Sequence, residues 1–194
     1  MEELIRRIQE LSEGNLPSEM YGPPRFEPNP DPDAVAARIK RDDAREFYTR
    51  FDPQEAVLAS LWGDMTLYPF ASLDKEQAGY AFDAFTREPV DDWPKGMIVI
   101  GECAADPIML NPTEQTEVFF ALHGQGAWTP LPIAADLTGF LKACAAWLDM
   151  VRQRGDQLQD ETYALRPESW ALFVQLARAA GISQDYIDNM ARLS

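Results

Sequence analysis

The sequence predicts an α+β fold in which helices wrap a central antiparallel sheet. Short apolar runs separated by turn residues follow one another between residues 93 and 133, as in an antiparallel meander. Segments on either side of this region carry apolar residues at helical spacing. The chain of 194 residues is 46% hydrophobic and 25% charged, which is typical of a globular protein with one main core.

The N-terminal segment is predicted to be an amphipathic helix that ends near Gly14, because glycine is a common helix C-cap. Six prolines then fall between residues 17 and 32 and predict an extended surface insert over about residues 15–32. Asp31 and Pro32 fit the N-cap and first position of a second helix, which we expect to continue to about residue 50.

The centre of the chain is predicted to contain most of the strands. We expect a strand over residues 65–70, a helix that begins after Ser72 or Asp74 and continues to about residue 84, and a polar loop over residues 85–95. Further strands are predicted over residues 97–101, 108–110 and 117–122, and the pattern also permits one over residues 129–133.

The C-terminal third is predicted to be helical. Asp136 fits the N-cap of a long helix to about residue 154, Pro167 begins another that stops at Gly181, and Ser183 caps the last. We therefore expect an α+β domain over residues 1–150 and a helical extension over residues 151–194 that packs on the same domain.

The net charge of −15 is unevenly distributed along the chain. Residues 51–150 carry fifteen acidic and four basic side chains, a net charge of −11. Such a field repels the phosphate backbone of nucleic acids and attracts a basic protein. Because the excess lies on the predicted sheet region and not on a tail, the pattern favours an interaction surface over a purely solubilising role.

The sequence predicts a cytoplasmic protein. No apolar run is long enough to cross a membrane, and the N-terminal helix lacks the continuous apolar region of a signal peptide. Cys103 and Cys144 have no metal-ligand or redox-motif spacing, so two reduced thiols are expected, although the sequence leaves a disulfide between them open.

Few residues could carry catalysis. His123 is the only histidine, and its flanking glycines favour a tight turn in which Gly124 and Gly126 adopt positive φ. Cys103 has acidic neighbours, Glu102 and Asp106, which oppose the formation of a reactive thiolate. The sequence also has no phosphate-binding glycine loop, dinucleotide fingerprint, calcium loop or zinc spacing. We therefore predict a protein that is not an enzyme and has no cofactor or metal, and a hydrolase that uses His123 or Cys103 is the alternative.

Three segments together resemble the SUKH superfamily, which contains the Smi/Knr cell-wall regulators and many bacterial toxin-immunity proteins. They are WPKGMIVIGECAADPIMLNP (93–112), TEVFFALH (116–123) and IAADLTGFL (133–141), and the Leu16-Pro17 pair also looks like the family's opening. Within them, Ala104 and Ala105 stand where the family often has glycines.

This resemblance implies an α+β fold without catalysis and, for bacterial members, direct binding that neutralises a cognate toxin, often a nuclease. We therefore expect a cytoplasmic immunity protein, a monomer or weak dimer, that binds a basic protein toxin but neither nucleic acid nor a membrane. The alternative is an interaction or scaffold protein of the Smi/Knr type without a toxin partner. The residues assigned to the partner surface are acidic and lie in or between the predicted strands: Asp91, Asp92, Glu102, Asp106, Glu114 and Glu117.

Overall fold

Two antiparallel sheets and a set of helices make up the fold, and the predicted α+β class is confirmed. The structure, a computed structural model, describes residues 1–54, 56–114 and 116–193. Strands β1 (Phe26–Glu27) and β2 (Asp52–Pro53) form a small pair. The central sheet has six strands, which are β3 Ala56–Ser60, β4 Gly63–Leu67, β5 Ile98–Cys103, β6 Asp106–Leu110, β7 Val118–Phe120 and β8 Leu131–Ala134. Its strands are paired in chain order, so the sheet is a meander throughout.

Helices precede and follow this sheet. They are α1 Glu2–Ser12, α2 Leu16–Tyr21, α3 Pro32–Arg38, α4 Asp42–Arg50, α5 Leu137–Arg154, α6 Pro167–Ala179 and α7 Gln184–Arg192. Single 3₁₀ turns occur at Phe70–Ser72, Lys75–Gln77 and Gly155–Gln157. In the described parts of the chain, no helix has the length and apolar character needed to span a bilayer.

Helix α5 packs against the sheet and forms the main core with it. The Phe140 side chain of α5 is buried, as are Met65 of β4 and Phe120 of β7. Helices α1 and α6 pack against α5, where the rings of Trp147 and Phe173 meet edge to face at 5.5 Å. The C-terminal helices therefore lie on the body that the sheet and α5 form.

Both edges of the central sheet are covered. Helix α2 packs against β3 at one edge, and α7 packs against β8 at the other. Asn189 of α7 also donates a hydrogen bond to the carbonyl oxygen of Pro132 at 2.8 Å. A helix beside an outer strand hinders the addition of a further strand at that edge.

The connection between β4 and β5 is not the helix that the sequence predicts after Ser72 or Asp74, and that prediction is wrong. The two 3₁₀ turns end at Gln77, and Gly79 then adopts a φ of 87°. The Gln77 side chain accepts from the backbone N–H of Val99 at 2.8 Å and donates to its carbonyl oxygen at 3.0 Å. These two bonds satisfy the backbone N–H and carbonyl oxygen of Val99 in β5, at the point where the register with β6 shifts between Val99 and Gly101. This contact with a residue distant in the sequence outweighs the local helix propensity of the segment.

Two further predictions need correction, and one strand was missed. The helix expected from residue 32 to about 50 breaks into α3 and α4, because the N–H groups of Lys40 and Arg41 bond to the carbonyl oxygen of Pro112 instead. The insert over residues 15–32 is not wholly extended, since Asn15 accepts from the N–H of Ser18 and caps α2. Strand β3 was not expected, and it pairs along its full length with β4.

Candidate functional site

Three separate segments meet near the turn between β5 and β6 and form a surface that carries both carboxylates and aromatic rings. They are the connection before β5, the β5–β6 turn itself, and the loop between β7 and β8. We call this the acidic–aromatic surface and define it by Tyr80, Asp91, Asp92, Trp93, Glu102, Asp106, His123 and Trp128.

A cluster of three rings holds this surface together. Tyr80 lies 6.0 Å from Trp93 and 5.9 Å from Trp128, measured between ring centroids, and the two tryptophans meet edge to face at 5.4 Å. All three side chains are half-buried. Trp93 also donates its indole N–H to the carbonyl oxygen of Met97 at 3.1 Å. Packed rings of this kind form a rigid platform on which the neighbouring loops are held.

The hydroxyl of Tyr80 links Glu102 and the β5–β6 turn to this ring cluster. The Tyr80 hydroxyl lies 2.7 Å from Oε2 of Glu102 and 3.2 Å from the carbonyl oxygen of Ala105. Burial, followed by the hydrogen bond to Glu102 and by its charge, raises the pKa of Tyr80. The phenol therefore keeps its proton at neutral pH and donates it, which holds the Glu102 carboxylate in place.

Asp106 fixes the start of the β7–β8 loop. One of its oxygens, Oδ1, lies 2.6 Å from both the backbone nitrogen and Nδ1 of His123. Gly124 and Gly126 follow with φ of 75° and 82°, so the positive φ values predicted for both glycines are confirmed. They lie in a ten-residue loop over residues 121–130 and not in a tight hairpin turn. The role of His123 here is to anchor a loop through its aspartate partner.

Asp92 fixes the far end of the same loop. Its Oδ2 accepts a hydrogen bond from the backbone N–H of Trp128 at 3.0 Å. Asp92, Leu122 and Trp128 line a hollow of about 270 Å³ together with residues 124–127. Asp91, the preceding residue, is exposed to solvent beside it. A cationic side chain of a partner could contact carboxylate and indole at once in this hollow.

The β5–β6 turn is strained. Ala104 and Ala105 adopt φ of 52° and 70°, in the left-handed region that favours glycine. They occupy both central positions of a two-residue hairpin between Cys103 and Asp106. Strain of this kind often lies at functional sites, and here it falls between the surface residues Glu102 and Asp106.

The predicted partner residues fall into two groups. Asp91, Asp92, Glu102 and Asp106 lie on the acidic–aromatic surface. Glu114 and Glu117 lie beyond the other end of β6, and they are separated from Asp106 by about 13 Å of strand alone. The two groups therefore do not form one site.

Glu117 has a role inside the fold. Its carboxylate accepts a hydrogen bond from the hydroxyl of Tyr186 in α7, at 3.1 Å. Glu114 is exposed, and its backbone N–H bonds to the side chain of Asn111.

The cysteines lie in environments that disfavour the thiolate. Cys103 is buried, and its Sγ lies 4.0 Å from Oγ of Ser60. Burial, with the charges of Asp106, Asp64 and Glu102, raises the pKa of this thiol. Burial also raises the pKa of Cys144, to about 12. Neither thiol has the lowered pKa of an activated nucleophile. Over residues 1–54, 56–114 and 116–193, no three His, Cys, Asp or Glu side chains are grouped so that they could hold a metal ion.

The aromatic part of this surface was not anticipated. The sequence places Tyr80 in a predicted helix and Trp93 in a predicted polar loop. The Asp91-Asp92-Trp93 run, in which two charges directly precede a tryptophan, is the local signal that could have placed a ring at the protein surface.

Comparison with known proteins adds no relative: no family model, curated protein or solved structure matches this chain.

Proposed function

We propose that this protein is a cytoplasmic immunity protein that binds a basic protein toxin and neutralises it by occlusion, without catalysing a reaction. The observation that carries the proposal is the convergence of three chain segments on one surface that bears Asp91, Asp92, Glu102 and Asp106 around packed rings. The resemblance to the SUKH superfamily supports the same function.

Electrostatics favours this use of the surface. Residues 51–150 carry a net charge of −11, and the acidic–aromatic surface belongs to that region. A complementary charge on a partner raises the association rate, and an inhibitor must reach its toxin before the toxin acts. The exposed parts of Trp128 and Tyr80 add aromatic area of the kind that is enriched in binding hot spots.

The hydrogen-bond network supports a binding surface that is formed in advance. Asp92, Asp106 and Glu102 each hold a neighbouring loop or turn through a bond of 3.0 Å or less. A surface ordered before the encounter loses less conformational entropy on binding, which increases affinity. We expect a one-to-one complex with a chain that is a monomer or weak dimer by itself.

The experiment first asks whether an adjacent gene encodes a toxin domain, as the proposed function requires. This protein is then co-expressed with that domain, and co-purification and growth rescue are measured. We expect a stable complex and survival of the cells. A double substitution, Asp91→Asn with Asp92→Asn, should slow association several-fold at low salt, because it removes two charges and leaves an amide oxygen to accept from Trp128.

The matched control removes the same charge elsewhere. Asp156 and Glu161 are exposed and lie after α5, outside the acidic–aromatic surface. Asp156→Asn with Glu161→Gln should leave the association rate within about twofold of the wild type. Equal slowing by both double variants would mean that net charge, and not the acidic–aromatic surface, sets the association rate. Failure of the wild type to bind the toxin or to rescue growth would refute the proposed function.

A further inference from the structure

Phe85 is the most exposed large apolar side chain in the described parts of the chain, with 94% of its surface accessible. The others above half exposure are Tyr163 at 82%, Met20 at 61% and Tyr21 at 58%. Tyrosine has a hydroxyl that water can solvate, whereas phenylalanine has none. A phenyl ring that is exposed to water lacks the favourable free energy that its burial in an apolar environment would provide.

The loop around Phe85 is internally bonded, which keeps the ring outside. The Asp83 carboxylate accepts from the N–H of Phe85 at 2.8 Å and of Thr86 at 2.7 Å. The N–H of Asp83 donates to the carbonyl oxygen of Glu88 at 2.8 Å, and the N–H of Arg87 donates back to Asp83 at 3.0 Å. These bonds close a tight turn with Phe85 at its tip.

The base of this loop is tied to the acidic–aromatic surface. Val90 donates its N–H to the carbonyl oxygen of Ala81 at 3.0 Å, so the two arms of the loop run side by side. Ala81 follows Tyr80, and Asp91 follows Val90. Phe85 therefore projects from the surface through a short paired stem.

The charges around the tip are mainly negative. Hydrogen bonds from the N–H groups of Thr86 and Phe85 lower the pKa of Asp83, so this carboxylate is ionised at neutral pH. Glu88 is exposed on the other arm, and Asp91 is exposed at the base. The one cation of the loop, Arg87, stacks over the ring of Phe82 at 4.0 Å. An apolar tip with carboxylates below it is complementary to an apolar pocket with a basic rim.

We propose that Phe85 is the anchor residue of the interface and inserts into an apolar pocket, rimmed by lysine or arginine, on the protein toxin. This inference rests on the proposed function and adds which residue anchors the partner. A rigid aromatic side chain on a pre-bonded loop buries a large area at small entropic cost, which is the character of a binding hot spot. Anionic lipid is a poor occupant, because the carboxylates of the loop are repelled by it.

The test is a kinetic binding measurement between variants of this protein and the immobilised, catalytically inactivated toxin domain that the co-expression experiment identifies. Phe85→Ala should raise Kd by about 30-fold or more, mainly through faster dissociation. Phe85→Leu should recover part of the affinity, because leucine keeps most of the apolar volume. Thermal unfolding of Phe85→Ala should match the wild type, since the ring makes little contact with the fold.

Tyr163→Ala is the matched control. Tyr163 is also a highly exposed aromatic residue, but it lies in the loop between α5 and α6. We expect its Kd to stay within about twofold of the wild type. Binding by the wild type with a Kd for Phe85→Ala that is equally unchanged would overturn this inference and leave the proposed function standing. A wild type that does not bind would overturn both.

Two other binding partners for Phe85, a second copy of this chain and a lipid membrane, are tested by separate measurements. Sedimentation of the protein alone would assign Phe85 to self-association if the wild type were a dimer and Phe85→Ala a monomer. Co-sedimentation with vesicles of phosphatidylcholine and phosphatidylglycerol would assign it to a membrane if binding depended on Phe85. Either result would overturn the inference, and we expect neither.

Discussion

Replacing Ala105 by glycine should make this protein more stable. Ala105 has a φ of 70° and occupies the second central position of the hairpin turn between β5 and β6. Its side chain is exposed, so removing the methyl group sacrifices no buried contact. Its carbonyl oxygen, which accepts from the Tyr80 hydroxyl, is unchanged by the substitution.

The magnitude follows from two opposing effects. A left-handed conformation costs an L-residue about 1–2 kcal/mol, and glycine escapes this cost. Glycine also increases the entropy of the unfolded chain, which lowers stability by about 0.4–1 kcal/mol. The difference leaves a gain of about 0.5–1 kcal/mol, which corresponds to a rise in Tm of roughly 1–4 °C for a chain of this size.

The assay is reversible thermal or urea unfolding followed by far-UV circular dichroism, with Ala127→Gly as the control. Ala127 is also an exposed loop alanine, but its φ is not positive. The same substitution there should lower stability, because only the entropic effect remains. If Ala105→Gly lowered Tm as much as Ala127→Gly does, the left-handed conformation at Ala105 would be refuted.

Two other substitutions test the packing that positions the surface. Burial alone would raise the pKa of Asp43, but its bonds to Arg41 and to the N–H of Leu137 lower it. Its contribution to stability is therefore present above the unfolded pKa and lost as pH falls through the folded pKa. Asp43→Asn should lose about 1–3 kcal/mol at pH 7 and less at pH 3, by urea unfolding. Gly101→Ala should lose about 1–3 kcal/mol at either pH, because its Cβ would overlap the carbonyl oxygen of Thr66. Equal loss at both pH values for Asp43→Asn, or wild-type stability for Gly101→Ala, would contradict these expectations.

Local signals predicted the elements whose ends are set by their own side chains. Asp31 accepts from the N–H of Ala34 at 2.9 Å, and Asp136 accepts from that of Gly139 at 2.6 Å, so these two predicted N-caps are confirmed. Ser183 is also at the N-cap position of its helix, as predicted, but its side chain makes no capping hydrogen bond. The long helix α5 was also predicted nearly to the residue, because its apolar periodicity is strong.

Elements decided by distant partners were not predictable in this way. The break between α3 and α4 depends on the Pro112 carbonyl, and the loss of the expected helix after Ser72 depends on the contact between Gln77 and Val99. Both partners lie more than twenty residues away along the chain. Neither contact leaves a signal in the local pattern.

The candidate site was predictable in its charge but not in its geometry. The sequence identifies the acidic excess and assigns Asp91 and Asp92, among other acidic residues, to the partner surface. Glu102 and Asp106 join them only because the β5–β6 hairpin brings both close to Tyr80 and His123. The exposure of Phe85 has the same origin, because the turn that holds it outward is closed by the side chain of Asp83.

The most direct test of an acidic binding surface is the association rate between this protein and the toxin partner that the proposed function requires, measured as a function of salt. Between about 0.01 M and 1 M salt, the screening length falls from about 30 Å to about 3 Å. We expect the rate to fall steeply over this range for the wild type and less steeply for Asp91→Asn with Asp92→Asn. A rate that stays constant across the range for both proteins would contradict electrostatic recognition through this surface.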